Sequence, residues 1–127
     1  MTDEDVFKFE YDLPVEAGSK SICVIIDDKM DSKKEFIQAI YDGVKTPFQG
    51  SYNWDALYDV LCSMEWLADK KIVVRHLVLP ALTGSDPKQY VNVLADAVRH
   101  WRLDKRHELL IVFQARNKDH ILQLLEA

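Results

Sequence analysis

Cysteine is scarce: Cys23 and Cys62 are the whole complement, too few and too far apart to argue for a disulfide framework. Glycine is scarce too, and Gly18, Gly43, Gly50 and Gly84 are scattered, so no glycine-rich loop is available to cradle a phosphate. Neither a His-Glu-x-x-His nor a Cys-x-x-Cys spacing occurs, and the four histidines lie on separate segments, so neither metal nor cofactor is expected. No apolar run approaches the ~20 residues of a membrane span. The acidic opening MTDEDVFKFEYD is unlike a secretory signal, so a cytoplasmic location without membrane contact is expected. Basic residues are outnumbered, 16 against 21, giving a net charge of −5 that argues against nucleic acid as a direct partner. They are missing altogether from Thr46 to Asp69, where Asp55, Asp59, Glu65 and Asp69 stand without a Lys or Arg. A local field of that sign raises the encounter rate with a basic partner.

What is present is an ordinary globular chain: 127 residues, 48% apolar and 29% charged, enough for one domain with a proper core. SICVIID (21–27) is a continuous apolar run with three consecutive β-branched residues, Val24, Ile25 and Ile26, the pattern of a strand buried on both faces. Asp31 and Ser32 then open a helix, with Ser32 and Glu35 in capping-box spacing, and Gly43 stands where a C-terminal cap is expected. After a loop punctuated by Pro47 and Gly50, Asn53 caps a second helix whose apolar row is Leu57, Leu61 and Met64. A second β-rich run spans Ile72 to Leu79 and stops at Pro80. Asp86 caps a third helix that has Pro87 in its first position and runs to about Arg102. ELLIVF (108–113) is a third buried run, and NKDHILQLLEA closes the chain as a short helix. VFKFEY alternates enough for an edge strand, ended by Pro14 and Gly18. The expected fold is α/β, a small three-stranded parallel sheet covered by helices, in the order β-α-α-β-α-β with terminal extensions. Residues 1–19 are expected as an N-terminal extension to a single domain over 20–127.

Chemistry concentrates in SYNWDALYDVL (51–61). Asp55 and Asp59 stand one helical turn apart, a like-charge pair that costs roughly 0.2–0.5 kcal/mol. Asp55 has a structural reason, because the first turn of a helix favours a carboxylate. Asp59 is a turn further in and has none. Asn53, Asp55, Asp59 and Cys62 project away from the apolar row, and Tyr58 flanks the acids. A solvated polar face is the plain reading; a surface that captures a basic pocket is built the same way, since aromatics anchor and charges steer. A carboxylate pair for acid–base or Mg²⁺ chemistry needs further ligands or a cleft, and neither is visible. Cys62 lacks a neighbouring base and lies in a negative field, so it reads as a filler residue rather than a nucleophile. Arg99, Arg102, Lys105 and Arg106, with His100 and His107 among them, read as a solvated helix C-terminus, with a phosphate or partner contact as the alternative.

TPFQGSYNWDALYDVLCSM (46–64) resembles the signature of the barstar family, intracellular inhibitors of secreted ribonucleases such as barnase. Its core is Asn53-Trp54-Asp55-Ala56-Leu57-Tyr58-Asp59 after a Pro-Gly loop. CVIIDDKMDSKKEFIQAIYDGV is similar to the family's first strand and helix, and YVNVLADAVRHW with ELLIVF resembles its late helix and last strand. The resemblance covers roughly residues 21–114 and implies no enzyme activity. It implies an immunity or antitoxin-type inhibitor whose second helix plugs a ribonuclease active site, acidic side chains standing in for RNA phosphates. Asp59 would be the principal phosphate mimic and Asp55 a second acidic contact. Asn53 would hold the junction, Tyr58 would be the aromatic contact, and Asp96 a further acid on the third helix. Gln49 stands where the prototype has a contacting loop aromatic, and Gly50 lies three residues before Asn53 instead of two. Expected partner-binding residues are thus Gln49, Ser51, Asn53, Asp55, Tyr58, Asp59, Cys62 and Asp96. The expected partner is a basic ribonuclease, bound by a monomer as a 1:1 heterodimer. Alternatives are a barstar-like regulatory module with a non-nuclease partner, or a small metal-dependent hydrolase.

Overall fold

The computed structural model describes residues 6–10, 21–30, 32–47, 50–68, 71–79 and 82–126; Pro14, Gly18, Asp31, Gln49, Asp69 and Pro80 lie outside them. The elements are β1 Phe7–Glu10, β2 Ser21–Ile26, α1 Lys33–Gly43, α2 Trp54–Ser63, β3 Lys71–His76, α3 Asp86–Asp104 and β4 Glu108–Gln114. A 3-10 turn, Ala115–Asn117, then leads into α4, Lys118–Glu126. The strands form one parallel sheet in the order β1-β4-β3-β2. The sheet therefore has four strands where three are expected. The segment VFKFEY supplies the fourth: β1 pairs in parallel with β4, Phe7 opposite Ile111 and Phe9 opposite Phe113. Phe7 packs edge-on against Phe113 at 5.1 Å, which ties the N-terminal segment into the core.

Strand register sorts the two faces. Val24, Val74 and Ile111 stand in line, with Phe7 next to Ile111, and all join the core with the buried stripes of the helices. Phe36, Ile37 and Ile40 come from α1, Leu57 and Leu61 from α2, and Leu94, Val98 and Trp101 from α3. Ile25, Arg75, Val112 and Lys8 alternate to the opposite face, where Arg75 reaches Glu10 at 3.4 Å. β2 departs from its expected burial. It is an edge strand, and Ile25 is 40% exposed. A β-branched run reads alike in a central and an edge strand, because pairing, not composition, distinguishes them.

Two local expectations are corrected by packing. Gly43 is the last residue of α1 and not its cap; Val44 takes the cap and Lys45 the left-handed conformation. A Cβ on Gly43 would sit 2.4 Å from Val24 Cγ2, so the glycine lets the end of α1 lie against β2. Asp86 likewise does not cap α3. Ser85 precedes the helix without a side-chain cap bond, and the Asp86 carboxylate instead accepts the indole N–H of Trp54 at 3.0 Å.

At the end of β3 the core holds a polar group. His76 is fully buried, stacked on Phe113 at 4.2 Å. Its Nδ1 lies 2.9 Å from the Val112 carbonyl, which can only accept, so Nδ1 carries the proton and Nε2 accepts from the Tyr90 hydroxyl at 2.7 Å. Burial pushes the imidazole down to about 4, against the smaller upward pull of the Val112 bond, and pushes the Tyr90 phenol up. Tyr90 lies 5.6 Å from the ring of Trp54, so a chain of contacts runs from the sheet to the first residue of α2.

Candidate functional site

Three devices set the start of α2. Asn53 caps it as expected: its backbone is extended and its Oδ1 accepts from Ala56 N–H at 2.8 Å. Trp54 turns inward, 5% exposed, held between Tyr90 and the Asp86 carboxylate. The preceding loop is fastened to α1, where the Tyr41 hydroxyl donates to the Ser51 carbonyl at 2.8 Å and the Tyr41 and Tyr52 rings stack at 6.0 Å. The Tyr52 hydroxyl bonds to Gln38 Oε1. Gly50 belongs to this arrangement, since a Cβ there would crowd the Tyr41 ring at 3.1 Å.

With Trp54, Leu57 and Leu61 buried, the helical period sends Asp55, Tyr58 and Asp59 to solvent, with Cys62 half-buried. Among the described residues neither Asp55 nor Asp59 makes an ion pair. The nearest cations on α1 are engaged otherwise: Lys33 Nζ lies 5.0 Å from the Trp54 ring centre and Lys34 Nζ 5.1 Å from that of Tyr52. Tyr52 and Tyr58, 38% and 36% exposed, add aromatic surface to the loop and to the acidic face of α2.

Asp59 is felt by its neighbours. The Tyr58 hydroxyl bonds to the Cys62 thiol, and that bond, then the Cys62 charge, burial, Asp96 and Asp59, raise the phenol. Burial raises the Cys62 thiol; Tyr58 pulls it partly back, and Asp59 and Asp96 raise it further. Tyr41 is raised by burial, by Tyr52 and by Asp59. A thiol held protonated in this way is a poor nucleophile, in keeping with the filler role read for Cys62. The charge of Asp96, on the neighbouring α3, is thus felt at Tyr58 and Cys62. It differs from the α2 acids in being paired, with Arg99 Nη1 at 2.6 Å.

The structure therefore places Ser51, Asn53, Asp55, Tyr58, Asp59, Cys62 and Asp96 along the loop, α2 and the adjoining turn of α3, while Gln49 lies outside the described residues. The supports Tyr41, Tyr52, Trp54 and Asp86 carry no signal as site residues in the sequence; only the burial periodicity marks Trp54. Among the described residues no group of three His, Cys, Asp or Glu side chains is placed to hold a metal ion. None of the helices described is long and apolar enough to cross a membrane.

No curated protein and no solved structure matches the chain at a significant level. The family described as Barstar (barnase inhibitor) matches residues 21–114, which include β2, α1, the loop, α2, β3, α3 and β4. Because that match takes in well over half of the chain, the protein belongs to the barstar family.

Proposed function

We propose that the protein is an intracellular inhibitor of a basic ribonuclease, of the immunity or antitoxin type, and that it acts by seating the outer face of α2 in the enzyme's active site. Asp59 is the principal stand-in for an RNA phosphate, Asp55 the second, and Asp96 a peripheral acid. Asn53 and Ser51 hold the junction and Tyr58 provides aromatic contact. The complex is a 1:1 heterodimer with a monomeric inhibitor, and no catalysis by this chain is involved. The family is that of barnase inhibitors, so binding a ribonuclease is its general expectation.

The observation that carries the reading is Asp59, a solvent-exposed carboxylate a turn inside a helix, with a like charge behind it and no paired cation among the described residues. A free protein gains nothing from that arrangement, whereas an active site lined with Arg, Lys and His does. The measurement is ribonuclease inhibition and affinity against barnase, and against any ribonuclease found encoded beside this chain. Asp59→Ala should weaken binding by ~2–5 kcal/mol, the cost of truncating one side of a buried charge pair. The family's prototype pair is itself the reference case for that figure. Wild-type inhibition by Asp59→Ala would remove phosphate mimicry as the mechanism.

A further inference from the structure

At the far end of α3 from the Trp54–Asp86 contact, the starts of β1, β3 and β4 and the end of α3 enclose a depression of about 460 Å³. Lys8, Lys71, Arg102, Lys105 and Arg106 line it together with the apolar residues Val98, Leu109 and Leu110. By strand register the half-buried Leu110 shares the helix-free face with Lys8 and Lys71, whereas Val98 and Leu109 are buried in the core. Five cations from three separate stretches of sequence meet a single lining carboxylate among the described residues, Glu108, in a chain whose net charge is −5. Arg106 is engaged, its Nε and Nη2 on Asp104 at 2.7 and 3.0 Å and its guanidinium 5.7 Å from the Trp101 ring. Lys8, Lys71 and Lys105 have no carboxylate partner among the described residues. Like charges gathered around one concavity repel, and a bound anion removes that cost.

We propose that this depression is a binding site for an organic phosphate of nucleotide size. The lysines are point charges suited to phosphate oxygens. Its volume falls in the range of small-ligand pockets, too large for a bare phosphate ion, and Leu110 offers apolar surface that phosphate oxygens would leave unused. A ligand with an anionic end on the lysines and an uncharged ring system on Leu110 satisfies both requirements. This site is independent of the acidic face of α2 and of the inhibitor reading.

Binding is measured by calorimetry and thermal shift on the full chain, in magnesium-free buffer at constant ionic strength, with ATP, tripolyphosphate and adenosine as probes. ATP should bind saturably at one site, with tripolyphosphate at least about tenfold weaker and adenosine without effect. Lys71→Gln and Lys105→Gln should each weaken ATP about tenfold, the loss of one charge-assisted contact. Their unliganded melting curves should match wild type. Equal binding of ATP and tripolyphosphate, unchanged affinity in both variants, or affinity for RNA oligomers that climbs with length would each overturn the proposal.

Discussion

Asp59 and Asp96 are both exposed carboxylates whose charge is felt at Tyr58, yet their removal should cost different amounts. Asp96 is already paired with Arg99, so Asp96→Ala should reduce partner affinity less than Asp59→Ala. Comparing the two Kd values at one salt concentration checks the order, and equal losses would place Asp96 in the centre of the contact. His76 governs a different quantity. An exposed imidazole titrates near 6.5 and the buried one at about 4, so as pH falls the unfolded chain takes up the proton first. The site's contribution to stability is whole above about pH 6.5 and declines toward pH 4, by roughly 3 kcal/mol in all at 1.36 kcal/mol per unit. Urea midpoints between pH 4 and 7 should show this slope in wild type and a flatter one in His76→Phe, whatever that variant's absolute stability. Nothing in the sequence separated His76 from the other three histidines. Its distinction comes from Tyr90, Val112 and Phe113, contributed by elements that follow it in the chain. Asp55 and Asp59, by contrast, were legible, because helical spacing and charge are local properties.

The elements show where local patterns stop being informative. Ser32 and Asn53 could be read as caps because a cap bonds its own chain three residues on, and both do so. Asp86 also precedes a helical run, but the group that claims its carboxylate is Trp54, on another element. This bond couples α3 to the entry of α2. Asp86→Ala should leave a buried indole N–H unpaired, lowering stability by about 1–3 kcal/mol. It should also weaken partner binding without touching an exposed residue of the acidic face. Chemical denaturation and affinity measured on the same variant test both effects, and unchanged affinity would mean that α2 is positioned without Trp54's partner. Gly43 misled in a similar way, since a glycine at a helix end looks like a cap. Gly43→Ala should destabilise by roughly 1–3 kcal/mol through overpacking against Val24. Much of that loss should be recovered on adding Val24→Ala, as a double-mutant cycle would show.

For the whole molecule, parallel order was inferable from strands separated by crossover-length helices, while sheet membership at the edges was not. Phe7, Lys8, Phe9 and Glu10 alternate as an edge strand should, but no local pattern says which sheet such a strand joins. Its partner β4 lies at the other end of the chain. Removing residues 1–10 should bare the β4 edge, lower stability and promote self-association, which sedimentation would detect. Charge acts at this scale as well. If a net −5 protein steers a basic enzyme, the association rate should fall steeply with added salt while dissociation changes little. The pairing of first strand with last has a consequence in time. At about 5–20 residues per second, β1 leaves the ribosome roughly 5–20 s before its hydrogen-bonding partner exists. Throughout that interval Phe7 and Phe9 have no Phe113 to cover them, so translation rate and chaperone supply, rather than equilibrium stability, govern how much of the newly made chain reaches the closed sheet.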